Sequence, residues 1–351
     1  MKTMKKAITK LTLISLLAIA MGTNIFAEEA VTALSEQKVT KHFVMAEGLE
    51  IPTETFSFTA TSETADAPVL TIDNVSYNNT DDKGTLSNEG VYTLDKDVDI
   101  TFGTFPHAGL YEYTVKETSG SAEGVTYDST SYHLRVYVVN DENGQWSIQN
   151  LTAEADDGKQ DSLSFTNTYR KTGSLTITKN TVGDLADKTK DFTFTITFIK
   201  SGTESSGITS YTGKIENEEI ECAINKETSF ELHDGESIVF EDLPVGTRYV
   251  VTEAGAEDGY TPSVNVIENG VQTVKSKNGT EKNALSTAEN SSGNLVGENE
   301  NSVTFINTYP ETPVTGVIMK HLPFLLLIVL PMLTLFLMMA VKGCRKHSGK
   351  H

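Results

Sequence analysis

Lys41, Glu117 and Asn167 recur in the same order as Lys179, Glu253 and Asn307. The Lys-to-Glu gaps are 76 and 74 residues, and the Glu-to-Asn gaps are 50 and 54. Each set combines an amine, a carboxyl group and a carboxamide. Burial disfavours charge, so an enclosed set would have a lowered lysine pKa and a raised glutamate pKa. A neutral amine can attack the carboxamide carbon. A protonated carboxyl can polarise that carboxamide and pass protons as ammonia leaves. The product would be a Lys–Asn amide cross-link, formed once per site and without turnover. The plain alternative is a buried Lys–Glu ion pair with asparagine as a hydrogen-bond partner.

The residues around each set repeat as well. Val39-Thr40-Lys41 returns as Ile177-Thr178-Lys179, and Tyr113-Thr114-Val115-Lys116-Glu117 as Tyr249-Val250-Val251-Thr252-Glu253. Phe165-Thr166-Asn167-Thr168-Tyr169 returns as Phe305-Ile306-Asn307-Thr308-Tyr309. Phe56 follows Lys41 by 15 residues, and Phe194 follows Lys179 by 15. Such self-similarity marks two copies of one unit. Phe56-Ser57-Phe58, Tyr132 to Val138, Phe192 to Ile196 and Tyr249 to Val251 are rich in aromatic and β-branched residues, several with period two. Asn140-Asp141-Glu142-Asn143-Gly144 reads as a hairpin turn. Alternation puts each Lys, Glu and Asn on one strand face with apolar neighbours: Lys41 with Val39, Glu117 with Val115, Asn167 with Phe165. Burying an unpaired Lys or Glu is costly, so repeated inward-facing positions require a chemical partner. Short strands with regular turns predict an all-β chain of two tandem sandwiches, spanning 28–170 and 171–309.

The ends read differently. Residues 1–27 have a lysine-rich start, an apolar run from Leu11 to Met21 and Ala27 at a cleavage position, the pattern of a secretory signal peptide. Residues 310–351 carry Thr312-Pro313-Val314-Thr315-Gly316, an apolar stretch from Leu322 to Val341, and a basic tail of Lys342, Arg345, Lys346 and Lys350. At ~1.5 Å per residue the apolar stretch covers about 30 Å, a bilayer core. The basic tail would stay cytoplasmic. This order resembles the cell-wall sorting signal of Gram-positive bacteria, with Thr312 standing where leucine is usual. The resemblance implies that a sortase cuts between Thr315 and Gly316 and passes the Thr315 carbonyl to an amine.

The 351 residues hold 28 basic and 48 acidic side chains, a net charge of −20. Residues 1–27 and 316–351 hold nine of the basic residues and no acidic ones. Residues 28–315 therefore carry 19 against 48, a net of −29. That acidity argues against nucleic acid as a partner. Two cysteines, Cys222 and Cys344, exclude a disulfide framework. No Ser/His/Asp set, phosphate loop or Cys/His metal cluster is present, so no cofactor, metal or turnover activity is read from the sequence. Cys222 in Ile220-Glu221-Cys222-Ala223-Ile224 reads as a packed strand residue.

Several segments bear a closer likeness. They are Leu175-Thr176-Ile177-Thr178-Lys179, Gly124 to Tyr132, Asp234-Gly235-Glu236-Ser237, Leu243-Pro244-Val245-Gly246 and the two Asn-ending motifs. With them the chain, over about residues 38–316, resembles the T-antigen-type (FctA-like) backbone pilins of streptococci. The resemblance implies two Ig-like (CnaB-type) sandwiches with self-formed Lys41–Asn167 and Lys179–Asn307 bonds, assisted by Glu117 and Glu253. It implies covalent polymerisation by a pilus-class sortase, which joins Thr315 of one subunit to a lysine of the next. Lys159, in Ala155-Asp156-Asp157-Gly158-Lys159-Gln160, holds the corresponding position, and the Gly and Asp around it predict an exposed loop. The implied partners are identical subunits, minor pilins, a sortase, peptidoglycan and a host surface; the implied location is a wall-anchored surface pilus whose precursor is held in the membrane. The competing class is a minor pilin or adhesin that is anchored singly and not polymerised.

Overall fold

The structure is a computed structural model. It describes residues 37–310, apart from 143, 205, 206 and 289–291, together with 330–335 and 338. The signal-peptide region, Thr312 to Gly316 and most of the C-terminal apolar stretch lie outside the described residues. No helix among the described residues is long and apolar enough to cross a membrane.

Two β-sandwiches follow one another along the chain. In the first, one five-stranded sheet runs in the order Leu70–Ile72, Val91–Phe102, Lys38–Ala46, Leu163–Tyr169, Val125–Thr126. The facing sheet runs Gly158–Gln160, Trp146–Ala155, Ser131–Asn140, Gly109–Glu117, Phe58–Ser62. The second sandwich pairs a seven-stranded sheet, centred on Thr172–Val182 and Ser302–Thr308, with a smaller sheet centred on Phe192–Ile199 and Arg248–Glu253. Alternation of small or polar with large apolar residues explains the layers. Strand Lys38–Ala46 buries Val39, Lys41, Phe43 and Met45 and turns the residues between them outward. The hairpin at 141–145 forms as the sequence predicts, closed by Asp141 N–H to Gln145 O at 2.8 Å, with Gly144 at φ 76°. The aromatic run at 56–58 is not one strand. It breaks at Ser57 into Glu54–Phe56 and Phe58–Ser62, which pair with different partners.

In each sandwich the opening strand lies parallel to the closing strand, and the two registers match. Lys41 is opposite Phe165 and Phe43 opposite Asn167; Lys179 is opposite Phe305 and Thr181 opposite Asn307. A parallel pair requires a long crossover. Here the crossover is almost the whole sandwich, so the first and last strands of each unit end up side by side.

The sandwiches touch through a tight joint. Val245 of the second packs with Phe43, Met45, Ala46 and Leu49 of the first. Arg248 pairs with Glu47, and Arg170 Nε donates to Thr203 O at 2.6 Å. Gly202 lies so close to the Glu89 carbonyl that a methyl group there would overlap it. Overpacking of this kind costs about 1–3 kcal/mol. Gly202→Ala should therefore open the joint and raise native-state tryptic cleavage at Arg170 and Lys171 by about tenfold, since cleavage follows the open population. Unchanged cleavage would mean that the joint does not depend on this approach.

Candidate functional site

Strand period and register bring each predicted triad together inside its sandwich. Lys38–Ala46 supplies Lys41, Leu163–Tyr169 supplies Asn167, and Gly109–Glu117 supplies Glu117 from the facing sheet. Lys41 and Asn167 are fully buried, and Glu117 nearly so. Lys41 Nζ lies 2.8 Å from Glu117 Oε2, and Asn167 Nδ2 donates to Glu117 Oε1. Lys41 Nζ also donates to Phe165 O at 3.2 Å. The second site repeats this arrangement. Lys179 Nζ lies 2.9 Å from Glu253 Oε1, and Asn307 Nδ2 donates to the same oxygen at 2.8 Å. All three of these residues are fully buried.

Electrostatics follow from burial. Desolvation lowers the pKa of Lys41 against the opposing pull of Glu117. Desolvation lowers Lys179 to about 8, again against its carboxylate partner. Desolvation raises Glu253, with Lys179 and Asn307 acting the other way. Each shift moves its group towards the neutral form that aminolysis needs.

Aromatic rings close each site. Lys41 Nζ lies 4.7 Å from the centroid of Phe56 and Lys179 Nζ 4.3 Å from that of Phe192. The equal 15-residue spacing to Phe56 and Phe194 is thus not the structural equivalence. Phe194 stands opposite Glu253 and packs on Phe305, as Phe58 stands opposite Glu117 and packs on Phe165. Phe56 and Phe192 are the equivalent pair. Period-two runs with phenylalanine at every second position hide a two-residue offset.

Sequence reasoning missed Asp128 and Tyr77. The Asp128 backbone N–H donates to Asn167 Oδ1 at 2.8 Å, and the Tyr77 hydroxyl lies 2.9 Å from Lys41 O. Asp128-Ser129-Thr130 carries a local signal, because Asp128 Oδ1 accepts from Thr130 N–H at 2.7 Å, an Asx-type turn. Nothing in residue type points Tyr77 at the lysine strand.

Lys159 is remote from both triads and is exposed. It does not lie in a loop. It is the middle residue of edge strand Gly158–Gln160, opposite Glu154. The Asp signals belong to the tight turn at 156–157, and Gly158, at φ 111°, is the first residue of the strand that follows it. Cys222 is fully buried in strand Glu218–Ala223, and burial pushes its thiol up to about 11. Among the described residues no group of three or more His, Cys, Asp or Glu side chains is arranged to hold a metal ion.

Two domain families match successive parts of the chain. Residues 37–170 match the Spy0128-like isopeptide containing domain. Residues 173–309 match a family described as a domain of unknown function. A pilin of Streptococcus pyogenes serotype M1 is 30% identical over 261 residues, which cover 72% of each chain. The chain belongs to the streptococcal pilin family. The pilus tip adhesin Cpa of S. pyogenes is 43% identical over 95 residues, 27% of this chain and 13% of the adhesin. Among solved structures, the major pilin from S. pyogenes is 26% identical, with a TM-score of 0.36, covering 79% of this pilin-family chain and 99% of its own. A second S. pyogenes major pilin (T3.2) is 24% identical, with a TM-score of 0.36, covering 80% and 100%.

Proposed function

We propose that this chain is the backbone subunit of a sortase-assembled surface pilus, with each sandwich locked by a self-formed Lys–Asn amide bond. The observation that carries the reading is the doubled triad: amine, carboxyl and carboxamide buried in contact, twice, at matched strand register. In each site the lysine Nζ–asparagine Cγ bond forms and the Cγ–Nδ2 bond breaks. The glutamate takes one proton from the attacking amine and delivers one to the departing nitrogen, which leaves as ammonia. Such a reaction happens once per site, so the protein is structural and not a turnover enzyme. We assign Glu117 and Glu253 as the proton shuttles, Lys41–Asn167 and Lys179–Asn307 as the bonds, and 28–170 and 171–309 as the domains.

The signal-peptide pattern of 1–27 and the sorting-signal pattern of 310–351 support export, retention in the membrane and transfer by a sortase. The donor is the Thr315 carbonyl, and the proposed acceptor is Lys159 of the next subunit. Identical subunits, minor pilins and peptidoglycan are then the partners, and the Gram-positive surface the location. The 43% identical stretch shared with a tip adhesin favours a second reading, a singly anchored subunit. Wall extracts from expressing cells, probed with antiserum on a denaturing gel, separate the two. A ladder of high-mass species is the expected result; one monomer band would support the second reading and sink the first.

A further inference from the structure

The two triads differ on the carbonyl side of the asparagine. In the first sandwich, strand Val125–Thr126 pairs with Thr168 and Tyr169 and then leaves the ladder. Two residues later the Asp128 N–H turns inward onto Asn167 Oδ1 at 2.8 Å. The turn is held by its own side chain, whose Oδ1 accepts from Thr130 N–H at 2.7 Å and Oδ2 from Thr166 N–H at 2.6 Å. In the second sandwich the neighbouring strand, Thr261–Glu268, stays in the ladder. It presents Pro262 opposite Asn307, and proline has no N–H to donate. Accordingly Asn307 Oδ1 is buried with no hydrogen-bond partner among the described residues.

We propose that the backbone N–H of Asp128 is a catalytic donor of the first site, stabilising the oxyanion that forms on Asn167 Oδ1 as Lys41 attacks, and that the second site works without such a donor. The inference rests on the amide-bond reading above and deepens it. As Nζ bonds to Cγ, the carbonyl electron pair moves onto Oδ1. A donor already in place there strengthens as that charge develops. The N–H also sets the orientation of the carboxamide. A donor at Oδ1 leaves Nδ2, the departing atom, facing Glu117, which is the side where a proton is available. In the second site the carboxamide has one hydrogen bond among the described residues, from Nδ2 to Glu253 Oε1, and none at Oδ1. The first bond therefore closes faster than the second by a route that residue type at position 128 does not reveal.

The test replaces the N–H without touching the side chain. The full chain is made by cell-free synthesis with residue 128 introduced as its α-hydroxy acid, so that an ester oxygen stands where the N–H was. Timed samples are quenched, and each cross-linked peptide is quantified by mass spectrometry. The second bond in the same molecule acts as the clock. Losing one oxyanion donor slows a reaction about a hundredfold. The ester chain should form Lys41–Asn167 slower by about that factor, while Lys179–Asn307 keeps its rate. A second chain with the ester at residue 130 instead keeps the Asp128 N–H and its side chain and loses only the Thr130 N–H bond of the turn; it should form Lys41–Asn167 within a few fold of the unsubstituted rate. Wild-type closure in the chain with the ester at residue 128 overturns the proposal, and so does equal slowing in both variants, which would assign the effect to the turn. Absence of both cross-links from the unsubstituted chain would instead remove the amide-bond reading itself.

Discussion

The exported chain should weigh two molecules of ammonia less than its sequence. Glu117→Ala should restore one of them and Glu253→Ala the other, each without affecting the partner site, because the sandwiches have separate triads. The basis is the contact of each glutamate with both reacting groups. Among the described residues no other carboxylate is bonded to Lys41, Lys179, Asn167 or Asn307. The loss of the bond carries a large stability effect. Lys41–Asn167 joins the first and last strands and closes a loop of more than a hundred residues. By analogy with disulfides such a closure contributes on the order of 4–5 kcal/mol through the unfolded state. At ~2–4 °C per kcal/mol, Lys41→Ala should lower the first transition by roughly 10–20 °C. Removing one partner of a buried ion pair adds its own penalty, about 3–5 kcal/mol. Lys41→Met, which removes the charge with little loss of volume, isolates the covalent part. An intact mass equal to the uncorrected sequence in the unsubstituted protein would leave only the buried ion pairs and sink the cross-links.

The triads were legible because two periodicities and one chemical requirement agreed. Strand alternation set the faces, the internal repeat set the pairs, and the chemistry of burying Lys with Glu required a partner. The burial of Val39, Lys41 and Phe43 on one face follows from that alternation alone. Where only one signal was present, the sequence misled. Phe192 and Phe194 both face inward on one strand, so spacing from Lys179 could not choose between them. Gly158 and its aspartates signal a turn, but not whether the chain then pairs or wanders, and Lys159 proved to be on a strand. Asp128 acts through a backbone N–H, which every residue but proline possesses. The joint around Gly202 and Val245 depends on contacts between residues more than a hundred positions apart, and residue type does not encode them.

Lys159→Arg should abolish the high-mass ladder while leaving both internal bonds and wall attachment of the monomer intact. A polymer of identical subunits needs a donor and an acceptor on the same chain, and head-to-tail joining that does not close produces a filament. The sorting-signal pattern supplies the donor at Thr315. An acceptor amine must be exposed and must approach a sortase thioester as a nucleophile. A guanidinium keeps the charge but stays protonated and cannot be acylated. Lys159 satisfies the exposure, and its place on a three-residue edge strand holds it on a fixed backbone rather than a mobile tip. The same placement offers a plainer role, because a lysine on a short edge strand discourages stray strand pairing. Arginine preserves that role, so the substitution separates the two. If lysine serves only to guard the edge, the arginine variant polymerises normally. If it is the acceptor, the ladder collapses to monomer, and peptides from wild-type pili show Thr315 joined to the Lys159 side chain. A ladder that survives, or a cross-link mapped to another lysine, moves the acceptor elsewhere on the subunit. The buried triads stay as they are in either case, because they share no residue with the assembly chemistry.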